Sequence, residues 1–430
     1  PAPGAAKKRA VPAGASAGGS IDRSLRAEGA LFHDLPDTPA KLFRQRVAAT
    51  PGLVALREKK LGLWRSITWR DYGATVERVA HAMAARGVAR GEVVSILSEN
   101  RPEWLYTDLA AITLGAVGNG IYTTSAPAQV DYVLTDSRTR LVVVEDEEQL
   151  DKVLSVRAAC PALHTIVVLE TEGLRSFADP MVLTWDAFLA EGDPHRATHP
   201  DLVERAVAET GPDDLAILIY TSGTTGRPKA AMISHGNLIF QVSTAPYVSA
   251  LRPGDQTLSF LPLCHVAERN YAAYMAIAFG NTVNFAESPE TMLEDLREVS
   301  PTAVFAPPRV WEKMYSLVTL AVKDATRFQR WAFDRALRLG QRVADIEDRG
   351  EAPGLPLRLL HRLVMATVLR NVRTTLGIDR AQFAVTGAAP ISPDLIRWFR
   401  SLGLRLREAY GLTEAVGLVT TMPFDRNRPG

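Results

Sequence analysis

Six consecutive residues, Thr221-Ser222-Gly223-Thr224-Thr225-Gly226, bring four hydroxyls and two glycines together, and Arg227, Pro228 and Lys229 follow at once. Hydroxyl and backbone N–H groups are donors, and glycine lets the main chain come close to a ligand. Such a loop can wrap a polyphosphate as an anion nest. Lys229 adds a compact positive charge at the far end, and Arg227 can add another. A plain Ser/Thr/Gly surface loop is the alternative. Against it, residues 216–220 (AILIY) form an apolar run of strand length, so the loop leaves a buried strand and ends on a cation. The spacing G-x-x-x-x-G-K-[ST] does not occur, and Pro228 stands where that motif needs a helix to begin, so this is not a Walker loop.

Other residues suit the same chemistry. Thr413 beside Glu414 offers a hydroxyl for a phosphoryl oxygen and a carboxylate for a hard cation such as Mg²⁺. Capping at a helix start would explain the same pair. Gly387-Ala388-Ala389 follows an expected strand at 382–386, and residues this small let a flat base lie against the backbone. His235 stands at an expected helix start, where it is either catalytic or, more commonly for such a histidine, satisfied by local backbone. His265 follows the apolar run 257–263 and is either a site residue or a structural histidine in a strand-end turn.

The elements that must position these residues alternate. Helical spacing covers 38–49, 69–86, 102–114 and 129–135; strand patterns cover 54–57, 63–68, 92–97, 117–122, 141–145 and 165–169. Past the loop, 257–263, 281–285, 302–306 and 382–386 read as strands. Strand and helix in alternation predict an α/β fold with two doubly wound, mainly parallel sheets flanked by helices, whose ligands bind beyond the carboxyl ends of the strands. The stretch 193–212 is polar and holds Pro194, Pro200 and Pro212, so a connection between a first subdomain (25–210) and a second (211–430) is expected there, with a turn of helix at 204–209. Residues 317–375 read as a long helical insertion broken near 350–354. Within it Arg327, Arg330, Arg335, Arg338 and Arg342 recur at near-helical spacing, with Trp331 and Phe333 between them. A basic amphipathic helix can lie on a membrane surface; a solvated helical face is the alternative.

Composition sets the bounds. In 430 residues, 47% are hydrophobic and 23% charged, which is ordinary for a globular chain. A net charge of +1 gives no bulk attraction to nucleic acid. Cys160 and Cys264 have no paired spacing, which argues against a disulfide framework or zinc site and suits a reducing cytoplasm. The longest apolar candidate, 271–279, is too short to span a bilayer. Residues 1–24 read as a disordered, mildly basic tail.

The decapeptide YTSGTTGRPK (220–229) resembles the signature phosphate loop of the adenylate-forming, AMP-binding superfamily that includes acyl-CoA synthetases. LPLCHVAER (261–269) resembles the next motif of the long-chain acyl-CoA synthetase branch, as do PPRVW (307–311) and the helical insertion. GAAP (387–390) and REAYGLTEA (407–415) complete the order. The resemblance implies that a carboxylate attacks the α-phosphate of ATP, giving acyl-AMP and pyrophosphate, and that coenzyme A then takes the acyl group from the adenylate. It further implies that residues 221–226 and Lys229 hold the β- and γ-phosphates, and that Thr221 and Glu414 serve Mg²⁺. His265 belongs to the acyl site by the same resemblance. Gly387, Ala388, Ala389 and the segment Glu408-Ala409-Tyr410-Gly411 lie at the adenine, with Tyr410 stacking, and Thr413 contacts the α-phosphate. A fatty acid is then the substrate, with cytoplasmic or peripheral membrane placement; the oligomeric state is left open. In the family a ribose-binding Asp, a hinge and a small C-terminal domain follow this point, so an N-terminal fragment with weak or no turnover is expected. A fatty acyl-AMP ligase or carboxylate-reductase module and a non-catalytic nucleotide- or acyl-binding protein remain as alternatives.

Overall fold

The structure, a computed structural model, describes residues 34–221, 227–247 and 251–422. The expected tail at 1–24 and the loop residues Ser222, Gly223, Thr224, Thr225 and Gly226 lie outside them. Fifteen strands occur among the described residues: β1 (Val54–Lys60), β2 (Leu63–Thr68), β3 (Val93–Leu97), β4 (Val117–Ile121), β5 (Thr139–Val144), β6 (Thr165–Val168), β7 (Val182–Thr184), β8 (Leu215–Thr221), β9 (Lys229–Ser234), β10 (Gln256–Ser259), β11 (Thr282–Phe285), β12 (Ala303–Ala306), β13 (Phe383–Thr386), β14 (Leu406–Leu412) and β15 (Gly417–Thr421).

They build three sheets rather than two, in the orders β7-β6-β5-β3-β4-β8-β9, β10-β11-β1-β2 and β12-β13-β14-β15. Pairing is parallel except where a hairpin closes an edge, at β8–β9, β1–β2 and β14–β15. Helices flank the sheets, as the alternating pattern requires. β3 and β4 are buried along their whole length, which is why they read as unbroken strands rather than as alternating ones. The helix Pro102–Thr113 between them is almost wholly buried and carries Trp104 and Asp108 into the core. A separate apolar cluster forms around Trp311 and Phe399, whose rings meet edge to face at 5.0 Å.

Several expectations change in the structure. β8 and β9 lie past residue 211, yet β8 pairs with β4 and carries β9 at its other side, and β11, with β10 beyond it, pairs with β1, so a boundary at 210/211 runs through two sheets. The stretch 193–212 is no open connection: helices Trp185–Thr198 and Leu202–Glu209 occupy most of it. Pro194 sits inside the first of them. Val203 and Val207 are buried in the main core, so tertiary burial outweighs the proline signal. The run 257–263 is a strand only to Ser259; Pro262 helps divert the chain into a turn. The region 317–375 falls into three helices, Pro308–Asp324, Arg327–Asp348 and Leu355–Thr375. The extra break comes at Thr326, which caps the second helix: Gln329 N donates to Thr326 Oγ1 at 3.3 Å and Thr326 N to Gln329 Oε1 at 2.9 Å.

Candidate active site

The ends of β8, β13 and β14 and the turn after β10 open onto one cavity of about 550 Å³. Of the residues singled out in the sequence, Thr221, His265, Gly387, Ala388, Ala409, Tyr410, Gly411, Thr413 and Glu414 line it. A neighbouring cavity of about 940 Å³ shares Thr221, His265 and Thr413. Lys229, Ala389 and Glu408 line neither. Lys229 is exposed and sits opposite Thr221 in the β8–β9 register, so the hydroxyl-rich loop joins two antiparallel strands. Arg227 is not a free second cation: its guanidinium lies 5.4 Å over the Tyr132 ring, whose hydroxyl donates to the Pro228 carbonyl at 2.9 Å. Glu408 is engaged by the β14–β15 hairpin, its carbonyl accepting from Thr421 Oγ1 at 3.0 Å.

His265 is positioned by a clamped turn. Asn100, at the end of β3, donates from Nδ2 to Ser259 Oγ (2.9 Å) and to the Leu261 carbonyl (2.6 Å), and Leu263 N donates to Asn100 Oδ1 (3.0 Å). The chain then enters the short helix Val266–Arg269, which His265 caps: Ala267 N donates to Nδ1 at 3.2 Å. That bond leaves the ring proton on Nε2, and burial lowers the His265 pKa, so the imidazole is neutral. The next residues of the motif are anchors. Arg269, wholly buried, forms a two-point pair with the Asp108 carboxylate, and Tyr274 Oη donates to the same carboxylate at 3.1 Å. Glu268 is buried too; desolvation pushes its pKa up to about 8, against hydrogen bonds with Ser259 and the Phe260 backbone, so it is chiefly a neutral acid near pH 7.

β4 permits this arrangement because two of its residues are glycines. A Cβ at Gly118 would stand 2.4 Å from Asp108 Oδ1, and one at Gly120 would stand 2.7 Å from Cys264 Cα. Cys264 is thus pressed against the strand, and burial pushes its thiol up to about 12.

The opposite wall is looser. The YGLTE segment starts no α-helix: Tyr410, Gly411 and Leu412 end strand β14, and Thr413–Ala415 is a single 3₁₀ turn. Thr413 is buried, whereas Tyr410 is 61% exposed and Glu414 is exposed. Gly411 is required by the hairpin, since a Cβ there would meet the Gly417 carbonyl oxygen at 2.1 Å. Asn270 Nδ2 donates to the Val416 carbonyl and ties this turn to the first wall. Ala388 adopts a left-handed φ of 68°, a strained conformation for alanine, beside the cavity.

Sequence reasoning missed Asn100, Asp108 and the π-helix Asn270–Met275, which carries Tyr271 and Met275 onto the apolar end of the cavity beside Phe305. Only the apolar run after Arg269 signalled the last of these. His235, expected at a helix start, does begin helix His235–Ser243, is fully buried away from the cavity, and has its pKa lowered to about 4 by burial. Among the described residues no group of three or more His, Cys, Asp and Glu could hold a metal. One hydroxyl (Thr221) and one carboxylate (Glu414) on a shared cavity fit an ion that keeps waters and takes its other ligands from phosphate, as Mg²⁺ does.

Comparison with known proteins finds relatives of the chain and of its fold. A long-chain-fatty-acid–CoA ligase of Xenopus laevis, ACSBG2, is 30% identical over 401 residues, covering 91% of this chain and 53% of the relative. Human ACSBG1, also named a long-chain-fatty-acid–CoA ligase, is 30% identical over 392 residues, covering 89% of this chain and 53% of its own. The chain therefore spans about half the length of the curated relatives it matches. Among solved structures, the anthranilate CoA ligase AuaEII in complex with anthranoyl-AMP superposes with a TM-score of 0.68 at 19% identity, covering 92% of this chain and 64% of that one. A fatty acyl CoA synthetase of Mycobacterium tuberculosis gives 0.63 at 20%, covering 90% and 62%. The AMP-binding enzyme family matches residues 43–430, and the chain belongs to that family.

Proposed function

We propose that this chain carries the adenylating site of a long-chain fatty acid–CoA ligase. The observation that supports it best is the single cavity on which Thr221, His265, Tyr410, Thr413 and Glu414 meet an apolar end formed by Tyr271, Met275 and Phe305. The names of the relatives, long-chain-fatty-acid–CoA ligases, supply the acid and the acceptor in this reading.

A carboxylate and a triphosphate repel, so the protein must place donors and positive charge where they meet. In this reading the 221–226 loop and Lys229 receive the β- and γ-phosphates, and Thr413 donates to the α-phosphate. Gly387 and Ala388 flank the adenine, with Tyr410 stacked on it. His265, neutral and with Nδ1 already occupied, offers Nε2–H to the acid; it orients the carboxylate rather than deprotonating it. Attack of the carboxylate oxygen on the α-phosphorus breaks the bond to pyrophosphate and leaves acyl-AMP. The thiol of coenzyme A then attacks the acyl carbon and AMP departs. Thr221 and Glu414 would hold Mg²⁺, which supplies charge neutralisation at the phosphates.

ATP–pyrophosphate exchange over a panel of carboxylic acids, with calorimetry of ATP binding beside it, tests the reading. Exchange best with long fatty acids and lost in Glu414→Ala supports it; transfer to coenzyme A rather than to a carrier protein settles the acceptor. Folded protein that neither binds Mg–ATP nor exchanges would overturn it.

A further inference from the structure

One polar atom at the candidate active site is unaccounted for by the fold. Asn270 lines the 550 Å³ cavity and is only 5% exposed. Its Nδ2 donates to the Val416 carbonyl, which fixes the orientation of the carboxamide, since a carbonyl accepts only from the NH₂ side. That tie explains the donor and leaves the acceptor unexplained: Asn270 Oδ1 is buried without a partner. Other described residues carry such orphaned atoms, but among them Asn270 alone also lines either active-site cavity. A buried acceptor left unpaired is costly, so one on a cavity-lining side chain points to a donor on the ligand. A second carboxamide, Gln241, is buried on the same cavity, and its Nε2 reaches only Thr244 Oγ1, at 3.5 Å. Tyr271 is satisfied, its hydroxyl donating to the Ala303 carbonyl at 3.0 Å, and with Met275 and Phe305 it keeps the rest of this end apolar.

We propose that the acid activated here bears a hydroxyl group on its chain, and that this hydroxyl donates to Asn270 Oδ1. The inference rests on the adenylating reading and narrows its substrate from a plain alkyl acid to a hydroxy acid. The place of the hydroxyl follows from the chain. Asn270 stands five residues after His265, little more than one helical turn, so with the carboxylate at His265 the hydroxyl lies a few carbons away from it. The neutrality of the group follows from the wall. Glu268, the carboxylate between these two residues, does not line the cavity, and the side chains around the apolar end are uncharged. An ammonium there would lack a counter-charge, whereas a hydroxyl needs only an acceptor. Selectivity acts chiefly against the plain acid: its methylenes would shut Oδ1 in unpaired, and a site built to take a substrate hydroxyl rejects the analogue lacking it.

ATP–pyrophosphate exchange with acids of matched chain length tests it: the plain acid, hydroxy acids with the hydroxyl moved carbon by carbon from the carboxyl end, and the O-methyl ether of the best of them. Calorimetry of the same acids on the ATP-loaded chain ranks them where turnover is slow. One hydroxy acid exceeds the plain acid in kcat/KM by roughly tenfold or more. Its methyl ether, which accepts a hydrogen bond but cannot donate one, falls back to the plain acid or below. Asn270→Leu also cuts the tie to Val416, so exchange falls with every acid; the ratio of hydroxy to plain acid, which that damage leaves alone, drops to about one. Equal kcat/KM for all hydroxy acids and the plain acid overturns the proposal, as does a methyl ether as good as its parent or a ratio that survives Asn270→Leu. An amino acid of the same length preferred to the hydroxy acid overturns it too. Exchange with plain acids alone defeats only this inference; exchange with no acid defeats the adenylating reading and this inference with it.

Discussion

The two walls of the cavity are built on opposite terms. The His265 wall is buried and over-tied: Asn100 fixes the turn, the Asp108–Arg269 pair fixes the helix after it, and Gly118 and Gly120 let β4 press against both. The Tyr410–Val416 wall is an exposed hairpin and one 3₁₀ turn, held to its neighbour through Asn270. A wall of the first kind is part of the folding core, and damage there is felt as lost stability. A wall of the second kind can change without unfolding anything, so damage there is felt in ligand binding and chemistry. Adjacent residues of one motif show the same split: His265 reaches the cavity, and Glu268 and Arg269 do not.

The largest effect separating the walls comes from Arg269→Ala, which strands the buried Asp108 carboxylate and costs about 3–5 kcal/mol in chemical denaturation. The pair Asp108→Asn/Arg269→Met removes the stranded charge and recovers much of that loss. If Arg269→Ala melts like the wild type, the contrast is wrong. On the open wall, Glu414→Ala lowers ATP–pyrophosphate exchange by about 10²–10³-fold with the melting temperature unchanged.

Glu268 gives a finer test. Its folded pKa, about 8, lies above the ordinary carboxylate range. From that range up to pH 8 the folded state holds a proton that the unfolded state has lost. The stability Glu268 contributes is therefore greatest at acid pH and falls by up to about 1.4 kcal/mol per pH unit on the way to 8. Glu268→Gln keeps a neutral side chain at every pH, so the melting difference between wild type and variant shifts in favour of the variant from pH 5 to 8. A constant difference would refute the neutral-acid assignment. The smallest effect is that of Tyr410→Ala: about tenfold weaker ATP binding at most, without loss of stability, because the ring is mostly exposed.

The sequence told most about segments whose signal is local. The apolar runs at β3, β5 and β6, the Pro-initiated helix at Pro102 and the ordered motifs at 220–229, 261–269, 387–390 and 407–415 all carry their structure in neighbouring residues. What it did not reveal depends on partners far along the chain. That β8 leaves residue 211 behind to pair with β4, or that β11 pairs with β1 across more than two hundred residues, is a matter of long-range register. The stretch 193–212 looked like a linker because prolines mark loops, and only burial of Val203 and Val207 shows otherwise. At the site the missing parts are of the same kind. Asn100 carries no local signal, because its three bonds run to residues 259–263. Arg269 looked like part of a ligand motif, and its partner Asp108 is 161 residues away.

The thiol of Cys264 is sealed between β4 and the His265 turn and holds its proton to about pH 12. Such a thiol is deaf to alkylating reagents while the turn is closed. Its rate of alkylation is therefore a clock for openings of the clamped wall, read at a native cysteine, and slowing of that clock by a ligand would register occupancy of the cavity from its buried side.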